Sequence, residues 1–78
     1  MTQEEAGSVI LEIFRRECDQ AGDCLTNKVV HNAYFKKTES TLGFFEGVNW
    51  LVQHKWLVAM EGQENCHRIT KSGWKTDI

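Results

Sequence analysis

The sequence predicts an α+β domain of three helices followed by a two-stranded β-hairpin, and three observations carry that expectation. Ala6, Val9, Ile10, Ile13, Phe14 and Cys18 recur at the spacings of a half-buried helix. A second amphipathic stretch runs from Leu42 to His54. Beyond Lys55 the apolar period shortens to two, with Leu57, Ala59 and Glu61 alternating against Trp56, Val58 and Met60, and a polar turn at Glu61-Gly62-Gln63-Glu64-Asn65 precedes a second alternating run from Cys66 to Thr70.

Each element has its own local signals. Thr2 followed by Glu5 is a capping-box pattern, so the first helix is expected over 3–20, where Gly22-Asp23 breaks it. Leu25 begins a short extended connection. Thr26 is a good N-cap for a second helix, with Val29, Val30, Ala33 and Tyr34 inward and an end at Lys36-Lys37. The polar turn Thr38-Glu39-Ser40-Thr41 offers caps for a third helix over 42–54. At about 100° per residue, Phe44, Phe45, Val48, Leu51 and Val52 share an arc of roughly 120° expected to face the core. Glu46, Asn49, Trp50, Gln53 and, at the margin, His54 occupy the opposite arc. The hairpin is expected over 57–70.

With 78 residues, 41% of them hydrophobic and three tryptophans, the chain is expected to form one domain over 1–78. That size is near the limit for a self-sufficient core, which makes a homodimer a partner to consider. No apolar run approaches the roughly 18 residues of a membrane span, and the acidic start lacks the regions of a signal peptide. A cytoplasmic location with no membrane partner is therefore expected. The spacing of Cys18, Cys24 and Cys66 does not suit a zinc site, and buried, reduced thiols are the expectation. No metal or other cofactor is expected.

Charge is unevenly placed within a net of −2. Residues 1–23 hold six acids and two bases, whereas residues 24–78 hold seven bases and five acids. Arg68, Lys71 and Lys75 stand without an acid between 65 and 75. There is no Gly-rich phosphate loop, no Gly-x-Ser-x-Gly elbow, no His-Glu-x-x-His and no carboxylate pair in an apolar setting. His31, His54 and His67 are scattered. An enzyme is not expected.

The helix exit Trp56-Leu57-Val58, the hairpin and the closing Ile69-Thr70-Lys71-Ser72-Gly73 resemble the second half of a winged helix-turn-helix domain, whose pattern runs helix, glycine-leucine-isoleucine, wing, leucine-threonine-x-x-glycine. The resemblance covers about residues 26–74. It departs from the pattern where His54-Lys55-Trp56 stands in place of the usual glycine. It implies a small winged helix domain that binds double-stranded DNA, as a transcription regulator would. Thr26 and Lys28 would then lie near phosphate and the outer face of 42–54 would read bases. The wing, with Gln63, Asn65, His67 and Arg68, would reach backbone or minor groove. Asn49 and Gln53 carry amides able to pair with adenine, and Arg68 and Lys71 suit phosphate. One such module makes a small interface, so the DNA reading favours a dimer. Winged helices also bind proteins. The alternative is an adaptor or mobile-element-encoded inhibitor that docks through Glu46 and Trp50, since Glu46 repels phosphate and an exposed Trp anchors partners.

Overall fold

The first helix, α1, spans Gln3–Glu17 and starts as its capping box dictates. The Thr2 Oγ1 accepts from the Glu5 N–H at 3.1 Å, and the Glu5 carboxylate accepts from the Thr2 N–H at 3.0 Å. The helix ends earlier than its expected limit at 20 because Cys18 turns extended, and the Asp23 carboxylate then accepts from the Asp19 N–H. This computed structural model describes residues 2–60, 62 and 65–76. Glu61, Gln63 and Glu64 of the expected turn, and the wing contact expected of Gln63, lie outside the described residues.

The elements follow in the order α1, β1 (Cys24–Thr26), α2 (Asn27–Thr38), α3 (Phe44–Gln53), β2 (Leu57–Ala59), β3 (Cys66–Ile69) and a short α4 (Lys71–Lys75). The expected α+β class holds, with two additions to the expected elements. The extended connection at Leu25 is a strand, and it pairs antiparallel with β3 in the register Cys24 to Arg68 and Thr26 to Cys66. The hairpin is therefore part of a three-stranded antiparallel sheet of order β1-β3-β2, with β3 in the centre. A three-residue strand is too short for an alternating signal, and only its partner defines it. The second addition is α4, where Thr70 Oγ1 accepts from the Gly73 N–H as N-cap. No helix among the described residues is long and apolar enough to cross a membrane.

The core is one cluster in which Ile10, Leu11 and Phe14 of α1 meet Val30 and Tyr34 of α2, Phe44 and Leu51 of α3, and Leu57 and Ile69 of the sheet. The closest approach is between α1 and α3. A Cβ placed on Gly47 would lie 2.9 Å from both the Ala6 Cβ and the Ile10 Cδ1, and one on Gly7 would lie 2.5 Å from the Trp50 ring. This crossing corrects the helical wheel. The buried face of α3 is Phe44, Gly47, Val48 and Leu51, with Trp50 half-buried beside it. Phe45 and Val52, expected inside, are 65% and 37% exposed. A wheel weighted by hydrophobicity gives glycine no pull, yet Gly47 is where the neighbouring helix comes nearest. The buried arc therefore rotates toward it and carries Phe45 and Val52 outward. Val29, also expected inside, is exposed because Val30 and Tyr34, one turn apart, define the inward line of α2.

The exit of α3 resolves the departure at His54-Lys55-Trp56. Lys55 takes the left-handed conformation with φ 63°, its N–H donates to the Val52 carbonyl, and the Trp56 N–H donates to the Leu51 carbonyl. These are the two bonds of a Schellman ending, with lysine where glycine is usual. The reversal lets the His54 and Trp56 rings stack, with centroids 4.6 Å apart.

Two stability measurements follow from this geometry. An alanine at Gly47 gains about 1 kcal/mol of helix propensity but overpacks the crossing at about 1–3 kcal/mol, so G47A should lower the urea midpoint. A raised midpoint would mean that the two helices are not in close contact there. Lys55→Gly relieves a left-handed side chain and is expected to stabilise by about 0.5–1 kcal/mol, read in the same titration.

Candidate macromolecule-docking face

The surface that gathers most of the candidate residues is built on the outer arc of α3. With its inward face turned toward α1, the helix presents Phe45, Glu46, Asn49, Val52 and Gln53 to solvent. Leu42, expected to open this helix, lies before its Gly43 N-cap and is 79% exposed. Its carbonyl accepts from the Tyr34 hydroxyl at 2.7 Å, which fixes the backbone there while the side chain projects. Burial raises the Tyr34 pKa, and the nearby Glu46 charge adds to the effect.

Beside this arc is a groove of about 320 Å³ lined by Asn27, Lys28, His31, Phe44, Phe45 and Asn65. It forms because the N-terminus of α2, the first turn of α3 and the base of the hairpin converge. The His31 and Phe45 rings each pack edge-on against Phe44, with centroids 4.8 and 5.2 Å away. The hairpin base is tied to α2 twice. The Asn27 N–H donates to the Asn65 carbonyl, and the Asn27 Oδ1 accepts from the His67 Nδ1–H at 2.9 Å. Asn65 has φ 59°, a left-handed position that asparagine tolerates better than most residues. Burial lowers the His67 pKa.

The structure places the residues singled out in the sequence in three settings. Lys28 and Asn65 share the groove, and Thr26 stands just before it as the cap of α2, its Oγ1 accepting from the Val29 N–H. Glu46, Asn49 and Gln53 lie on the exposed arc of α3 as expected. Arg68 and Lys71 sit elsewhere, lining a hollow of about 230 Å³ with Ala21, Gly22, Ile69 and Thr70 at the root of the sheet. Trp50 is corrected from an outward to a half-buried position. Its ring lies against Gly7 and meets Trp56 edge-on with centroids 5.3 Å apart.

Sequence reasoning missed Asn27, His31, Leu42, Phe45 and Val52 as surface residues of this face. For Phe45 and Val52 the available signal was Gly47, whose small size marks the true centre of the buried arc. Neither Asn27 nor His31 carries a comparable signal: Asn27 is held in the groove by bonds to Asn65 and His67 on the hairpin, and His31 by its ring contact with Phe44. Phe45, Leu42 and Val52 offer apolar area, Asn49 and Gln53 offer amides, Glu46 is the one charged residue of α3, and Lys28 is the one lysine or arginine among the described residues that line the groove.

The His67 contact yields a pH dependence. A histidine whose pKa is lower in the folded state binds fewer protons there than in the unfolded chain, so stability rises with pH across the interval below 6.5. The urea midpoint should fall as pH drops from neutral through that interval. His67→Gln should flatten the decline, and an unchanged slope in that variant would move its origin to another group. Compared with protein-family models, with curated proteins and with solved structures, the chain matches none, so the chemistry of this face carries the functional reading.

Proposed function

We propose that the chain is a small protein of the winged-helix type and that it works by docking a protein partner on the outer face of α3. The order of helices and hairpin supports the first part, as does the Thr70-x-x-Gly73 pattern, in which Thr70 caps α4. The observation that carries the second is the exposure of Phe45 at 65% on a helix that holds no lysine or arginine and one acid, Glu46, with Leu42 exposed at 79% just before its Gly43 N-cap. Adjacent exposed apolar side chains mark interaction sites, and aromatic anchors dominate the energy of such interfaces. In a DNA complex the same helix would bring Glu46 toward phosphate and gain no counterion release of its own. The expected partner surface has an apolar pocket for Phe45 and a base facing Glu46.

Double-stranded DNA is the second reading, favoured by one arrangement. Thr26 and Lys28 stand at the N-terminus of α2 beside Asn65, while Asn49 and Gln53 lie exposed on α3. Under that reading Arg68 and Lys71 contribute phosphate contacts from the root of the sheet, and a homodimer supplies the area that one copy lacks.

A paired experiment separates the two. A photo-crosslinking residue at Phe45 should capture one protein from cell extract, and Glu46→Arg should abolish the capture, while the same probe at Glu4 on α1 captures nothing. Phe45→Ala is expected to weaken binding to the captured partner by about 2 kcal/mol, roughly 30-fold. Anisotropy with duplex DNA across a salt series is expected to show no binding. Salt-sensitive binding, with a slope shallower by about one unit in Lys28→Ala or Arg68→Ala, would overturn the protein reading in favour of DNA.

A further inference from the structure

Two of the three thiols are brought together by the sheet, although 41 residues separate them in sequence. β1 and β3 pair with Cys24 opposite Arg68 and Thr26 opposite Cys66. The Ile69 N–H donates to the Asp23 carbonyl and the Asn27 N–H to the Asn65 carbonyl, which marks those pairs as the hydrogen-bonded ones. Cys24 and Cys66 therefore belong to two successive non-hydrogen-bonded pairs, Cys24 with Arg68 and Cys66 with Thr26. They lie on the same sheet face as diagonal neighbours. Both are free; Cys24 is exposed and Cys66 is buried.

We propose that Cys24 and Cys66 are an oxidation-sensitive pair that closes into a reversible disulfide between β1 and β3 when the protein meets a hydroperoxide. The accessible Cys24 reacts first. Its thiolate attacks one peroxide oxygen, the O–O bond breaks, the departing hydroxide or alkoxide takes up the proton that the Cys24 thiol released and leaves as water or an alcohol, and Cys24 carries a sulfenic acid. The Cys66 sulfur then attacks the Cys24 sulfur, the S–O bond breaks, and the departing hydroxide takes up the Cys66 proton as water. Two electrons pass from the two thiols to one hydroperoxide.

The division of labour follows from the surroundings. Burial keeps Cys66 from solvent and, with Cys24 beside it, raises its pKa, so the exposed Cys24 is the thiol a peroxide meets first. Cys18 is not on the sheet: it is buried at the end of α1, with a pKa pushed up to about 11 by burial and then by Asp23 and Cys24, and the Cys18→Ser variant below separates it from the pair. Closure is sterically modest. Diagonal partners have Cα atoms about 7–8 Å apart, and a disulfide needs about 6.8 Å or less. The required approach of about 1 Å falls on β1, a three-residue strand at the sheet edge that pairs with β3 alone. Because β1 ends at Thr26, the cap of α2, the staple would fix the start of that helix to the central strand. This inference is independent of what the α3 face binds.

The test is to titrate the full chain with hydrogen peroxide in the absence of added thiol and to follow intact mass and a non-reducing digest. The expected result is a monomer lighter by two hydrogens, with the Cys24 and Cys66 peptides linked. Dithiothreitol should reverse the change, and Cys18→Ser should leave it intact. Cys66→Ser should instead leave Cys24 as a sulfenic acid that dimedone labels, with folding checked by circular dichroism. If that variant does not fold, the wild-type mapping decides alone. Overturning results in the wild type are a Cys24 that gains oxygen while Cys66 remains open to alkylation after unfolding, or a bond linking the Cys24 residues of two chains.

Discussion

The close crossing of α1 and α3 is the constraint on which the rest of the molecule depends. Ala6, Gly7 and Gly47 let the two helices approach until Gly47 rests on the Ala6 Cβ and Ile10, while the Trp50 ring fills the space that Gly7 leaves. In a domain of this size few residues can be fully inside, so a tight approach of two helices substitutes for bulk. The crossing also fixes the rotation of α3 about its own axis. That rotation decides which side chains form the core and which form the exposed arc of the helix.

A second fastening holds the far end. The Thr70 hydroxyl donates to the Lys55 carbonyl at 2.8 Å, also lies 3.2 Å from the Trp56 carbonyl, and caps α4 by accepting from the Gly73 N–H. Gly73 must be glycine in this arrangement, because a Cβ there would stand 2.3 Å from the Trp56 carbonyl oxygen. The Arg15 Nη2 reaches the carbonyls of Gly73 and Thr76, tying the end of α1 to the end of α4. A threonine and a glycine three residues later thus have physical roles here, joining the exit of α3 to the last helix. Trp50, His54 and Trp56 cover this junction with their rings.

Much of this was legible before any coordinates, and the omissions have common causes. The capping box at Thr2 and Glu5, the cap at Thr26 and the change of period after Lys55 are local signals, and each marks a feature that forms. The strand at Cys24–Thr26 is defined only by its bonds to β3, and its own residues carry no period. The docking face was half legible: Glu46, Asn49 and Gln53 are polar on a helix and belong outside on any count. Leu42, Phe45 and Val52 are apolar, and an amphipathic wheel assigns such residues to the core unless a glycine shifts the arc.

The sequence by itself determined the first three helices, the hairpin strands and the α+β class, because capping, apolar period and turn chemistry act over a few residues and need no distant partner. It also determined that α3 carries no base, which bears on any reading of its surface. Only the tertiary structure decided the rotation of α3, the third strand, the groove beside Asn27 and Phe45, and the meeting of Cys24 with Cys66. Each of these depends on contacts between residues far apart in the chain. Local preference is silent about such contacts, and packing against α1 and pairing with β3 settle them.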